Sequence, residues 1–294
     1  MINAIEYETS KGIVLKADKI ITRRNAWHLK SIKGNGAPTA TARGDSSYNS
    51  VGESYNGLKV EGREIELDLY ADGYSAAGLQ EMLKDVSKIA TPSDEELGVL
   101  TLTNAAGERY RIQAKMLQLE QATEKRRSVL FSAVLTCPYV WFEDDTLQQV
   151  PIFAQTGGKE YPLDRPYTFV EITEQAGEHT LYLENKGDTK APITIKLQGA
   201  GMTAATITNE TNGASIIVEG APNVAGIEIC TDENDLRAEF ADGSDASRYV
   251  SLFSELSELV LEPGINTVKV EMTATAATVA GCVIEWRGRY AACL

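Results

Sequence analysis

"LENKGDTKAPITIKLQGA", residues 183–200, ends one apolar stretch in a polar turn, restarts after Pro192, and then alternates apolar and polar without a slip. Ile193, Ile195 and Leu197 fall on one face of an extended strand, while Thr194, Lys196 and Gln198 fall on the other. A sheet built from such strands has one core face and one wet face. Lys186, Gly187 and Asp188 read as the turn between two strands, glycine because it tolerates positive φ and aspartate because its side chain bonds back to nearby backbone. Pro192 stands where a strand begins, the place where a residue without an N–H does least harm.

The same pattern runs through the rest of the second half. From about Pro166 onward the strand-like runs are "YTFVEI", "HTLYLEN", "PITIKLQ", "AATITN", "SIIVEG", "AGIEICT", "TVKVEM" and "GCVIEWR", separated by Gly, Asn, Asp and Pro. Short strands at regular spacing with turn signals between them predict a β-sandwich over residues 166–294. Asn212-Gly213 is the strongest hairpin signal in the chain. "SRYVSLFSELSELV", residues 247–260, has an ambiguous period and reads as a short helix or a loop covering one sheet.

Upstream, residues 1–142 read as a separate β-rich domain with one helix. In "GREIELDLYADG" Ile65, Leu67 and Leu69 alternate with Glu64, Glu66 and Asp68. In "SAAGLQEMLKDVSKIA" the apolar positions Leu79, Met82, Leu83, Val86 and Ile89 repeat at three and four, with Ser75 placed to cap the N-terminus. "GVLTLTNAAGERYRIQAKM" is a hairpin by its central Asn-Ala-Ala-Gly, and "RRSVLFSAVLTCPYVWF" supplies a strand ending at Pro138. Residues 34–57, "GNGAPTATARGDSSYNSVGESYNG", nearly lack large aliphatics and read as a long loop or arm suited to reaching a neighbour. Residues 143–165 mix acids, Gly-Gly and two prolines without a period, as a linker or crossover does.

Composition narrows the function. The 294 residues carry 28 basic and 42 acidic side chains, a net charge of −14, which disfavours a sequence-independent phosphate binder. An acidic surface still suits a conduit through which DNA slides without being gripped. No basic start followed by an apolar stretch opens the chain, so no signal peptide is expected. "ATVAGCVI" at 277–284 is far short of the roughly twenty residues that cross a bilayer. Cys137, Cys230, Cys282 and Cys293 form no CxxC pair and are expected as buried free thiols, although Cys230 and Cys282 both sit in strand-like runs and a meeting of the two stays open.

Signals for chemistry are sparse. His28 and His179 are the only histidines, no Ser or Cys elbow accompanies them, and as surface or edge residues they need no special role. "GxSxG", "HExxH", a P-loop and "GxGxxG" are absent. Asp232, Asp235, Asp242 and Asp245 lack the regular spacing of a calcium loop and read as a solvated loop. The expectation is therefore no catalytic residue, no metal and no cofactor. "RGD" at 43–45 and "NET" at 209–211 are short patterns that arise by chance. The basic islands "TRRNAWHLK" and "TEKRRS" stand out in an acidic chain and read first as a solvated face, and in a sharper reading as patches complementary to an acidic surface on another copy. With the arm they give the candidate contact residues: Arg23, Arg24, Arg43, Asp45, Tyr48, Tyr55, Arg126 and Arg127.

In order along the chain, "AVLTCPYVWFEDD", "LENKGDTKAPITIKLQGA", "ATITNETNGASIIVEG", "LVLEPGINTVKVEM" and "CVIEWRGRYAACL" resemble the distal tail (Dit) family of long-tailed, siphovirus-type bacteriophages. That resemblance implies an N-terminal β-rich, tail-tube-like domain forming a hexameric ring, and an outer C-terminal sandwich of the galectin or carbohydrate-module kind. It further implies a place at the virion tail tip after synthesis in the host cytoplasm, with DNA passing through the ring unbound. The implied partners are further copies of the chain, the tail tube protein, a tail-associated fibre or lysin protein, the tape measure protein and a receptor-binding protein. A rival reading makes the second domain a working carbohydrate-binding adhesion module, with Trp141, Trp286 and Tyr290 as the aromatics available to stack on a sugar; Trp286 is expected in the core instead.

Overall fold

The computed structural model describes residues 1–19, 26–45, 54–89, 96–125, 127–154, 178–198, 202–219, 226–274 and 280–294. The chain divides into two units, Met1–Asp145 with Tyr290–Leu294, and Thr146–Arg289.

The strands of the first unit are β1 (Ile2–Glu8), β2 (Val14–Asp18), β3 (Ala26–Lys33), β4 (Ala40–Asp45), β5 (Ser54–Val60), β6 (Arg63–Asp72), β7 (Gly98–Asn104), β8 (Arg109–Lys125), β9 (Ser128–Cys137) and β10 (Phe142–Asp144), with helix α1 at Ala76–Ile89. One sheet runs β10-β8-β7-β1-β2-β3-β6-β9, and an additional β8–β9 pairing closes it into a barrel. Closure depends on the length of β8, whose residues 109–114 pair with β7 while residues 115–125 pair with β9. The barrel is filled, because every second residue turns inward: Ile65, Leu67, Leu69 and Ala71 of β6 are all 0% exposed, as are Leu100, Leu102, Ala133 and Leu135 from β7 and β9. Helix α1 buries Leu79, Val86 and Ile89, and Ser75 Oγ accepts from the Gly78 amide at 3.1 Å, as the capping reading requires. At the β7–β8 turn Asn104 Oδ1 accepts from the amides of Ala106 and Glu108 at 2.9 and 3.0 Å, while Gly107 takes φ +86°.

The second unit contains β11 (Gln148–Ala154), β12 (Glu178–Asn185), β13 (Ala191–Gln198), β14 (Met202–Asn209), β15 (Ser215–Glu219), β16 (Ile227–Cys230), β17 (Arg237–Phe240), β18 (Val260–Leu261), β19 (Gly264–Ala274) and β20 (Ala280–Trp286). Two sheets face one another, β11-β20-β13-β16-β17 and β12-β19-β14-β15, with β18 added beside β13. Side chains from both sheets make one core, including Ile193, Ile195 and Leu197 from the first and Leu183, Ile207 and Val268 from the second. The segment 244–255 covers an outer edge on each sheet, through an Asp245–Glu239 bridge on β17 and through Ser251 and Glu255 amides donating to Ile217 and Ser215 of β15 at 2.8 and 2.9 Å. Residues 247–260 are therefore an edge cover with a 3-10 turn at Ser247–Tyr249, which decides between helix and loop.

Three buried asparagines hold one end of this sandwich around β18. Asn185 Nδ2 donates to Leu261 O at 3.0 Å, Asn209 Nδ2 donates to Val260 O at 2.7 Å, and Asn266 exchanges bonds with Glu262, accepting from its amide at 2.9 Å and donating to its carbonyl at 2.7 Å. Asn209 Nδ2 also reaches Asn266 Oδ1 at 3.2 Å, so two of the three amides are joined directly. Asn185 and Asn209 satisfy buried carbonyls of the two-residue strand, and Asn266 those of the turn that follows it.

The expected linker 143–165 is structured at its start, since β10 belongs to the barrel sheet and β11 pairs along its whole length with β20. Its acids and proline hid a strand that is held by its partner rather than by its own pattern. A final strand, β21 (Arg289–Tyr290), lies beside β10 in the sheet of the first unit, so the second unit is an insertion between two neighbouring strands. Residues 290–294 thus belong with the first unit and not, as expected, with the second.

Candidate assembly surface

Of the stretch 34–57, expected as a long loop or arm, residues 40–45 and 54–57 are strand, and 46–53 lie outside the described residues. β4 and β5 pair as a separate two-stranded ribbon between the barrel neighbours β3 and β6, from Ala40↔Val60 to Asp45↔Ser54, with a register shift at Arg43/Gly44. Small and polar residues conceal the strands because the described side chains of the ribbon, at 40–43 and 58–60, bury no core face. Ala40, Thr41, Ala42 and Arg43 are exposed, Leu58 is 59% exposed and Val60 37%. A lone two-stranded hairpin is marginally stable in water, so its order needs help from elsewhere.

Part of that help is at the root. Arg63 opens β6 on the parity of Ile65 and Leu67 and is therefore drawn inward, only 6% exposed. Its guanidinium donates to Gly34 O at 3.3 Å, Gly36 O at 2.8 Å and Ala291 O at 3.0 Å, and lies 4.5 Å from the centre of the Phe142 ring. Burial pulls the guanidinium below its ordinary value, and burial pushes the neighbouring Cys137 thiol up to about 12. Asn35 and Cys293 exchange two bonds: Asn35 Nδ2 donates to Cys293 O at 2.6 Å, and the Cys293 amide donates to Asn35 O at 2.9 Å. Residue 34 has to be glycine, since φ is +85° and a Cβ would stand 2.0 Å from Glu64 O.

The expected contact residues are distributed as follows. Arg43 is exposed in β4 opposite Gly57, and Arg127 is exposed at the β8–β9 turn, where its carbonyl accepts from the Gly73 amide at 2.8 Å. Asp45 and Tyr55 lie on β4 and β5, so the backbone brings Arg43, Asp45 and Tyr55 onto one ribbon. Arg23, Arg24, Tyr48 and Arg126 lie outside the described residues. Arg63 and Asn35 carry the root and were not among the expected residues; the parity of Arg63 with Ile65 was the available signal.

Both histidines differ from expectation in being buried, His28 at 3% and His179 at 7% exposure. His28 lies opposite Tyr70 in the β3–β6 pairing, and His179 shares the core-facing parity of Leu181 and Leu183. The acids of 232–245 are taken up by other side chains and by their own turns: Asp232 pairs with Arg289, Asp235 with Arg237, and Asp242 and Asp245 accept from Ser244 and Ser247. Among the described residues no group of three or more His, Cys, Asp or Glu is arranged to hold a metal ion. Cys230 and Cys282 do not meet as a bridge; all four cysteines are free and buried.

The three aromatics make no stacking platform. Trp286 is 7% exposed in the sandwich core and donates to Glu184 O at 3.2 Å. Tyr290 belongs to the first unit, edge-on to Tyr110 at 4.9 Å with its hydroxyl 3.2 Å from Asp144, and Trp141 is half-buried there. Among the described residues no helix is long and apolar enough to cross a membrane.

The fold recurs in the SPP1 Dit protein, described as a paradigm of the hub adsorption apparatus in phages that infect Gram-positive bacteria. The two align with a TM-score of 0.58 over 90% of this chain and 93% of that one, at 10% identity. Two structures of the phage P2 baseplate in its activated conformation, with calcium and with strontium, align over 96% of this chain and 98% of theirs. Their TM-scores are 0.48 and 0.47 at 14% and 13% identity, a level of likeness that adds no weight. No protein-family model matches the chain, and no curated protein matches it.

Proposed function

We propose that this chain is a distal tail protein of the Dit kind, a structural hub at the tip of a long-tailed phage. In this reading the first unit forms a hexameric ring continuing the tail tube, DNA passes through the middle unbound, and the second unit faces the adhesion apparatus. The observation that carries it is the fold shared with SPP1 Dit across nine-tenths of both chains.

Two physical features support the ring. Leu67, Leu102 and Leu135 fill the barrel of a single copy, so a passage has to lie between copies. The β4–β5 ribbon, exposed along its described side chains, has the form of an arm that packs against a neighbouring copy. The tail tube, tape measure, fibre or lysin and receptor-binding proteins are the partners in this proposal, and the role is architectural with no catalysis. Nothing in the placement of Trp141, Trp286 and Tyr290 favours the sugar-binding rival.

Light scattering on the purified chain, with negative-stain images of the same peak, tests the ring. The expected result is a six-fold ring of 31.9 kDa subunits. A monomer at every accessible concentration, alone and on addition of tail tube protein, overturns it.

A further inference from the structure

The ribbon leaves the barrel after β3 and returns before β6, so both of its ends pass the Arg63 guanidinium. Two of the Arg63 bonds hold carbonyls of the outgoing chain at Gly34 and Gly36, and the third holds Ala291, which the chain reaches only after leaving the second unit at Arg289. The paired bonds of Asn35 and Cys293 repeat that cross-connection 258 residues apart in sequence. Beyond the strand pairing, the Glu61 amide donates to Thr39 O at 3.2 Å at the base of the ribbon.

We propose that Arg63, Asn35 and residues 291–293 form a clasp on the root of the β4–β5 arm, so that the arm holds its backbone order only while residues 291–293 are in place. Arg63 is a positioning residue here, acting through the carbonyls of residues 34, 36 and 291. The clasp follows closely on the second unit along the chain, because only Tyr290, Ala291 and Ala292 separate Arg289 from Cys293. The inference concerns the arm of a single copy and stands or falls independently of the ring.

Hydrogen exchange with mass-spectrometric readout on the full chain tests it, using Asn35→Ala, deletion of residues 291–294, and Arg63→Met. Peptides covering 40–45 and 54–60 should exchange about ten-fold faster in Asn35→Ala and faster still in the deletion, while peptides from β6, β9 and α1 keep the parent rate. Arg63→Met should show the same local loss; if it unfolds the barrel instead, the two milder variants decide. Unchanged arm exchange in both milder variants, equal acceleration throughout the barrel, or an arm already unprotected in the parent each overturns the clasp. A failed ring with an intact exchange pattern leaves the clasp standing, so the two readings fail separately.

Discussion

Replacing Asn266 by alanine removes four hydrogen bonds at once. The side chain is 0% exposed, accepts from the Glu262 amide at 2.9 Å and from Asn209 Nδ2 at 3.2 Å, and donates to the carbonyls of Glu262 and Gly264 at 2.7 and 3.1 Å. At about 1 kcal/mol each the sum is about 4 kcal/mol, and water reaching the partly exposed Glu262 and Gly264 reduces it to about 3 kcal/mol. Asn212 is the control, since it makes three bonds of similar length, donating to Glu258 O at 2.9 Å and Val260 O at 3.3 Å and accepting from the Ala214 amide at 3.0 Å, from an exposed position. Its loss should cost about 0.5 kcal/mol. The assay is equilibrium urea unfolding followed by Trp286 fluorescence, in a chain carrying Trp27→Phe and Trp141→Phe so that the signal reports the sandwich alone. With a slope of roughly 1–3 kcal/mol per molar urea, Asn266→Ala should lower the midpoint by about 1–3 M. A loss below about 1 kcal/mol, or one equal to that of Asn212→Ala, refutes the idea that the asparagines carry the end of the sandwich.

Gly187→Ala should destabilise the second unit by about 2–3 kcal/mol, because a Cβ would stand 2.4 Å from Arg289 N and O and displace a turn in which the Asp188 and Thr189 amides both donate to Arg289 O; an unshifted urea midpoint would refute it. Ser75→Ala removes the α1 cap and should cost the first unit about 1 kcal/mol, seen as a lower melting temperature of that unit alone. Burial pushes Cys137 and Cys282 up to about 12 and Cys293 up to about 11, so a thiol reagent at mild alkaline pH should modify these three only on unfolding. Burial pulls His179 below its ordinary 6.5, so the unfolded chain binds more protons than the native one. Stability from this group is fully present above pH 6.5 and falls as the pH drops through that value; His179→Leu should flatten that part of the profile.

Alternation was the legible part of the sequence. Ile65, Leu67 and Leu69, and likewise Ile193, Ile195 and Leu197, fill their cores as their spacing predicts, because a face with a two-residue period has only one way to be buried. The three- and four-residue repeat of Leu79, Val86 and Ile89 was equally readable, with its cap. Strands held mainly by their partners were not. β18 has two residues, β17 has four in an acidic stretch, and β4 has no aliphatic side chain larger than alanine, so none shows a period. Asn185 and Asn209 stood at the ends of strand-like runs and Asn266 in none, but their common target, the backbone around Val260 and Leu261, exists only after long-range pairing. Gly187 was read as a positive-φ glycine, whereas its φ lies outside that region and the constraint is the approach of Arg289. Of the assembly surface, the arm was located but not its hairpin, and the root was hidden because Arg63 and Ala291 are 228 residues apart.

The insertion of one unit within the other also fixes an order of events during synthesis. A ribosome completes β10 and must then make all of Thr146–Arg289 before residues 290–293 exist to close on Asn35 and Arg63. At usual elongation rates that interval is on the order of 10 s, long enough for the sandwich to fold first. A nascent or truncated chain that stops short of residue 291 therefore carries its β4–β5 ribbon on an unfinished root, without the bonds from Arg63 to Ala291 and between Asn35 and Cys293.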